Sequence, residues 1–209
     1  SHSIKRLGLL AVIATASFVL KPMAAVSILF LGILIVYKLI EGNVLNLKNI
    51  ILIGLIPLFA VCVWLGRNII LSGWPLFPNL LVSLDLDWTI PRAMTKKNYE
   101  DVLFWARLPG PSYQEVGNNS FMFWFIPWLK NCFVSVRFWF VGTIPFFTGV
   151  IFWTLNWSRL RNLRELFFFM WCLMSLVFWF SLAPDIRFGD GLIYVFMTTG
   201  MTFYLVSNE

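Results

Sequence analysis

Apolar residues in this chain come in long uninterrupted runs, and that pattern decides most of what it can fold into. The runs are Leu7–Leu20, Met23–Ile40, Ile50–Leu71, Cys132–Leu155, Leu166–Leu182 and Leu192–Val206. A helix that crosses the hydrocarbon core of a bilayer needs roughly 20 apolar residues. Backbone in that core must satisfy its own hydrogen bonds, so spans are helices or closed barrels. These runs are continuous rather than alternating, which selects helices. Composition agrees. Apolar residues make up 59% of the chain and charged residues only 12%, against about 25% charged in a soluble domain. The expected fold is an all-α polytopic transmembrane bundle of five or six spans.

Breaks in the runs set the boundaries. Lys21-Pro22 ends the first, because a residue before proline is pushed out of the helical region. Glu41-Gly42-Asn43 opens a polar connection that ends near Lys48. Pro57 predicts a kink in the third run. Residues 72–130 differ in kind: Pro75, Pro78, Pro91, Pro109, Pro111 and Pro127 punctuate them, and charges return. The chain therefore divides into transmembrane helices over 1–71, one large extracytoplasmic loop or cap over 72–130, and transmembrane helices over 131–209. A short helix is expected within the loop at Thr95–Arg107, and Phe121–Trp128 is expected to lie at the membrane interface. A short polar turn, Ala183–Gly191, is expected before the last run, which is short for a span and suggests that the sequence is a piece of a longer protein.

Short loops rich in Lys and Arg stay on the cytoplasmic side. The 156–165 loop carries Arg159, Arg161 and Arg164, and the 183–191 turn carries Asp185, Arg187 and Asp190. The first is placed inside and the second outside, which puts the 72–130 loop outside as well. The net charge of +6 comes from short clusters between apolar runs. It answers to topology and anionic headgroups rather than to nucleic acid. His2 is the only histidine, so no His-based zinc site or Ser–His–Asp triad is encoded here. Cys62, Cys132 and Cys172 have no metal spacing and read as small core- or lipid-facing residues. No metal site and no particular cofactor is indicated. The expected partner is membrane lipid.

Ionisable residues in or near spans are functional candidates. Arg67-Asn68, near the outer end of the third run, can bind phosphate; alternatively Arg67 snorkels and anchors the helix end. Asp85 and Asp87 can hold a divalent cation or do acid–base work if the segment is extended, or they form a solvated loop end. Asp185, Arg187 and Asp190 can clamp a lipid-linked phosphate at headgroup level, with a carboxylate orienting the arginine; the structural alternative is an Asp–Arg pair capping two helices. Lys21 adds a phosphate contact or snorkels. Arg137, about one turn into the fourth run, can pair with an acidic residue on a neighbouring helix.

Two segments carry a resemblance. They are Arg67-Asn68 with Ser72-Gly73-Trp74-Pro75-Leu76-Phe77-Pro78 and Asp87-Trp88, and Ala183-Pro184-Asp185-Ile186-Arg187-Phe188-Gly189. They resemble a group of bacterial multi-spanning membrane proteins that are in turn similar to GT-C-type glycosyltransferases of the cell envelope. The chain looks like the C-terminal part of such a protein. The resemblance implies an inner-membrane location, a polyprenyl-phosphate sugar donor and transfer on the outer face. It also implies a catalytic acidic residue in a first outer loop that this sequence does not contain. Arg67, Arg187 and Lys21 would then serve donor-phosphate recognition, with Asp85 or Asp87 as the bases available here. The competing readings are a transporter or flippase-like module for envelope glycolipids or polymers, with Arg137, Pro57 and Pro145 marking a pathway, and a non-catalytic membrane scaffold.

Overall fold

The computed structural model describes residues 2–42, 46–110 and 113–207, with backbone only at 2, 3, 23, 159 and 207. Asn43, Pro111, the side chain of Arg159 and the last two residues lie outside that description. The described residues are helical or irregular, with no strand among them. Three helices are long and apolar enough to cross a membrane: Leu47–Ser72, Val136–Leu155 and Leu163–Leu182. The chain forms two compact units, Ser1–Tyr99 and Glu100–Glu209.

In the first unit, α1 (His2–Leu20) stops where expected, at the extended backbone of Lys21, and a 3-10 turn (Pro22–Ala24) leads into α2 (Ala25–Glu41). α3 (Leu47–Ser72) begins at Asn46, whose side chain accepts the Asn49 N–H at 2.9 Å. This cap satisfies one of the unpaired donors at a helix start. α3 continues through Pro57 as one 26-residue element, about 39 Å long. Leu7, Ala11, Leu39 and Ile53 form its small core with α1 and α2. Only 6% of the most apolar window of α3 is buried, so most of its side chains require an apolar solvent.

The 72–130 segment is not irregular throughout. It carries α4 (Arg92–Arg107), a 3-10 turn (Tyr113–Asn118) and the start of α5 (Phe121–Val134). α5 runs past the boundary expected at residue 130. In the second unit, the run from Cys132 is not one helix either. α5 ends at Ser135, and a new helix spans Val136–Leu155 as α6 (Val136–Phe138), a π-helical turn (Trp139–Thr143) and α7 (Ile144–Leu155). The break is stable because the incoming helix supplies donors to the carbonyls that α5 leaves open. Trp139 Nε1 donates to Phe133 O at 2.6 Å, and Thr143 Oγ1 donates to Cys132 O at 2.7 Å. The π turn ends against Pro145, which has no N–H for a regular helical bond.

α8 (Leu163–Leu182) is capped by Asn162, which accepts the Arg164 N–H at 3.0 Å. α9 (Ile186–Ser207) packs against α7 and α8. Trp153, Cys172, Leu176, Trp179, Ile186, Ile193 and Phe196 form the core of this unit. α9 corrects one expectation: only Ala183, Pro184 and Asp185 lie between α8 and α9. Residues 186–191 form the opening turns of α9 because Asp185 caps it, accepting the Arg187 N–H at 2.9 Å.

Candidate functional site

The end of α3 is built from the residues that most resembled a motif. Asn68 is buried and its Nδ2 donates to Pro75 O at 2.9 Å. Ser72 Oγ donates to Asn68 O at 2.7 Å and accepts the Trp74 N–H at 3.1 Å. Gly73 turns the chain with φ +76°, and an added Cβ would come 2.8 Å from Thr89 Cα. Its carbonyl accepts the Leu84 N–H, and Ser72 O accepts the Ile90 N–H, both at 2.9 Å. Trp74, 2% exposed, closes the knot by donating from Nε1 to Ile90 O at 2.9 Å. Asn68 is therefore bonded into this turn. Arg67 points outward from it, and Asp85 and Asp87 are exposed on the irregular segment that returns to it. Lys21, also exposed, belongs to the same unit. Among the described residues, no three acidic, Cys or His side chains gather as a metal site.

The second unit holds the other candidates. Asp185 both caps α9 and grips Arg187, whose Nε lies 3.0 Å from each carboxylate oxygen and whose Nη2 lies 2.6 Å from Oδ2. The carboxylate side chain is 11% exposed and the guanidinium 51%. Burial pushes the Asp185 carboxyl up, but hydrogen bonds from Arg187 and the charges of Arg187 and Arg137 outweigh it, so its pKa lies below the ordinary value. The same hydrogen bonds and charge raise the pKa of Arg187. Arg137 acts on this carboxylate through its charge. Two indoles fix the turn: Trp128 Nε1 donates to Pro184 O at 2.6 Å and Trp179 Nε1 to Asp185 O at 2.9 Å. Gly189 lets Trp179 lie close, since a Cβ there would meet the indole at 2.2 Å. Asp190 Oδ1 accepts the Gly191 N–H at 2.7 Å.

Arg107, in the last turn of α4, carried no signal beyond its charge in the sequence. In the fold its Nη2 donates to Ser181 O at 3.1 Å and its guanidinium sits 5.2 Å from the centre of the Trp124 ring. Arg107 and Asp185 line a cavity of about 310 Å³ with Asn131, Trp128 and Phe138. Trp128 and Phe138 also line a larger cavity of about 610 Å³, whose walls include Phe146, Trp153, Leu176 and Ile186. The Arg107 guanidinium and the Asp185 carboxylate, which holds Arg187, therefore line a small polar cavity that shares Trp128 and Phe138 with a larger apolar one. Such a site can take a ligand with an anionic head and a hydrocarbon body. Periodicity could not have announced it, because its aromatic walls read as ordinary span residues.

Residues 1–194 match the family described as a domain of unknown function, DUF8201. No curated protein and no solved structure matches the chain.

Proposed function

The chain belongs to the DUF8201 family, and we propose that it is an integral membrane protein of the glycosyltransferase-like kind, acting on a polyprenyl-phosphate-linked sugar at the outer face of a bacterial inner membrane. In this reading it has five or six spans, the Arg159–Arg164 loop is cytoplasmic, and residues 72–130 and the Pro184–Asp185 turn are outside. The observation that carries the proposal is the apolar cavity of about 610 Å³ adjoining the polar one at Asp185 and Arg107. It has room for about 20 water-sized groups, enough for part of an isoprenoid chain. Arg107 in the adjoining polar cavity and Arg187, half exposed and held by Asp185, match the phosphate.

Transfer forms a bond from an acceptor hydroxyl oxygen to the anomeric carbon and breaks the bond from that carbon to the phosphate oxygen. The electron pair leaves with the phosphate, where Arg187, Arg137 and Arg107 stabilise the growing charge. A carboxylate takes the hydroxyl proton; the resemblance places it in a first outer loop that this sequence does not contain, with exposed Asp85 or Asp87 as the alternative here. The test is transfer in membranes supplied with labelled polyprenyl-phosphate sugar. Arg187→Ala is expected to lower the rate about 10²- to 10³-fold, with Arg187→Lys recovering part of it and both variants accumulating normally in the membrane. An unchanged rate sinks the phosphate role. Failure of both variants to accumulate would assign the Asp185–Arg187 pair to folding alone.

The π-helical turn between Arg137 and Pro145 favours a second reading. Such turns are frequent at functional sites, and Gly142 and Thr143 from it line the apolar cavity. A flippase-like module would use that chamber as a path. Movement of labelled lipid phosphate across vesicles without sugar transfer would select it.

A further inference from the structure

A third cavity, of about 470 Å³, shares Arg107 with the one at Asp185 but has a different character. Its walls include Phe104 from α4, Asn119 after the 3-10 turn, Phe121 and Trp124 from α5, and Ser181 from α8. Phe121 is half exposed. Asn119 is held by its Nδ2, which donates to Glu115 O at 2.8 Å. The cavity thus combines aromatic rings with a guanidinium, a carboxamide and the carbonyl end of a helix. A hydrocarbon chain matches this poorly, because it would cover polar groups without bonding them. A cationic ligand is opposed by Arg107. A pyranose matches both halves: its C–H faces lie against rings, and its hydroxyl rim meets donors and acceptors. The volume has room for about 15 water-sized groups, and a monosaccharide has about a dozen non-hydrogen atoms.

We propose that this cavity binds a saccharide, and, resting on the glycosyl-transfer reading, that the saccharide is the acceptor. Arg107 then stands between the two polar cavities, in contact with both. The cavity at Asp185 receives the donor phosphate and the one at Phe121 receives the sugar that is to be extended.

The experiment is saturation-transfer NMR on the full chain in lipid nanodiscs, with the methyl glycosides of a neutral hexose, an N-acetylhexosamine and a hexuronic acid as probes. At least one glycoside is expected to bind. Asn119→Ala and Phe121→Ala are each expected to weaken that binding up to about tenfold, with helix content and thermal unfolding unchanged for Asn119→Ala. Arg187→Ala should leave glycoside binding within a factor of two. Binding by none of the three probes, or equal binding in both cavity variants, overturns the proposal. Glycoside binding without any sugar transfer would overturn the transferase reading and leave this site standing. Arg187-dependent transfer with no glycoside binding would do the reverse.

Discussion

At the end of α3 the polar side chains bond to backbone: Asn68 to Pro75, Ser72 to Asn68 and Trp74 to Ile90. At the start of α9 two indoles and the Asp185 carboxylate hold the backbone, and Asp185 and Arg107 border a cavity. Both turns contain Gly, Pro and an arginine, and both looked like sites in the sequence. The difference lies in what is left over once local hydrogen bonding is satisfied. In the first turn Asn68 and Ser72 are consumed in making the turn, and Arg67 faces outward. In the second, Trp128 and Trp179 hold the turn's carbonyls and Asp185 caps α9 and grips Arg187, yet Asp185 and Arg107 also line open volume. A prominent motif can therefore mark a scaffold, and a cavity lining can join a motif residue, Asp185, to one outside any motif, Arg107.

The largest effect expected from this contrast is at Trp74. Trp74→Ala removes a fully packed indole and should destabilise the first unit by about 3–5 kcal/mol, read as loss of thermal stability in detergent. If glycoside binding by the second unit persists in that variant, the two regions are separable. If it vanishes while the second unit stays folded, the contrast between scaffold and site is broken.

A smaller effect is expected at Asp185. Asp185→Asn keeps a capping oxygen but loses the charged pair, at a cost of about 1–2 kcal/mol near neutral pH. The folded-state pKa of Asp185 lies below its ordinary value of 3.8. Its charged form therefore stabilises the fold above about that pH, and the contribution is lost as pH falls through the folded-state value. The stability gap between the wild type and Asp185→Asn should be constant from pH 7 to about 5 and narrow below 4. A gap that stays constant down to pH 2 would show that the pair contributes nothing to folding.

Arg67 sets the lower bound. Arg67→Ala should change stability by less than about 0.5 kcal/mol, as for exposed residues outside any network. Because stability does not move, the proposed transfer is a clean readout of whether this arginine meets the proposed substrate. A large drop in rate would restore the first turn as part of the working surface.

Much of the architecture was legible in the residues. Lys21-Pro22 ends α1 because of the steric rule before proline, and α4 ends at Arg107 just before Leu108-Pro109. α9 was misjudged by half a dozen residues because its early turns, Arg187 to Gly191, are polar and glycine-rich; the Asp185 cap outweighs that local weakness. The break at Ser135 left no trace in hydropathy, since Phe133 and Val136 are equally apolar on either side. It exists because Trp139 and Thr143 bond the open carbonyls of α5.

The amino-acid order alone determined that this chain is helical and that several of its helices need an apolar environment, since those properties follow from run length and backbone hydrogen bonding. It also singled out Asp185 and Arg187, because charges flanked by apolar runs are conspicuous. Only the tertiary structure decided that Asn68 bonds Pro75 O, that Arg107 lines a cavity with Asp185, and that aromatic residues from α5, α7, α8 and α9 line an apolar one. Those outcomes depend on which side chains meet across helices far apart in the chain, and a periodic apolar pattern is the same whether a ring faces lipid, a neighbour or a cavity.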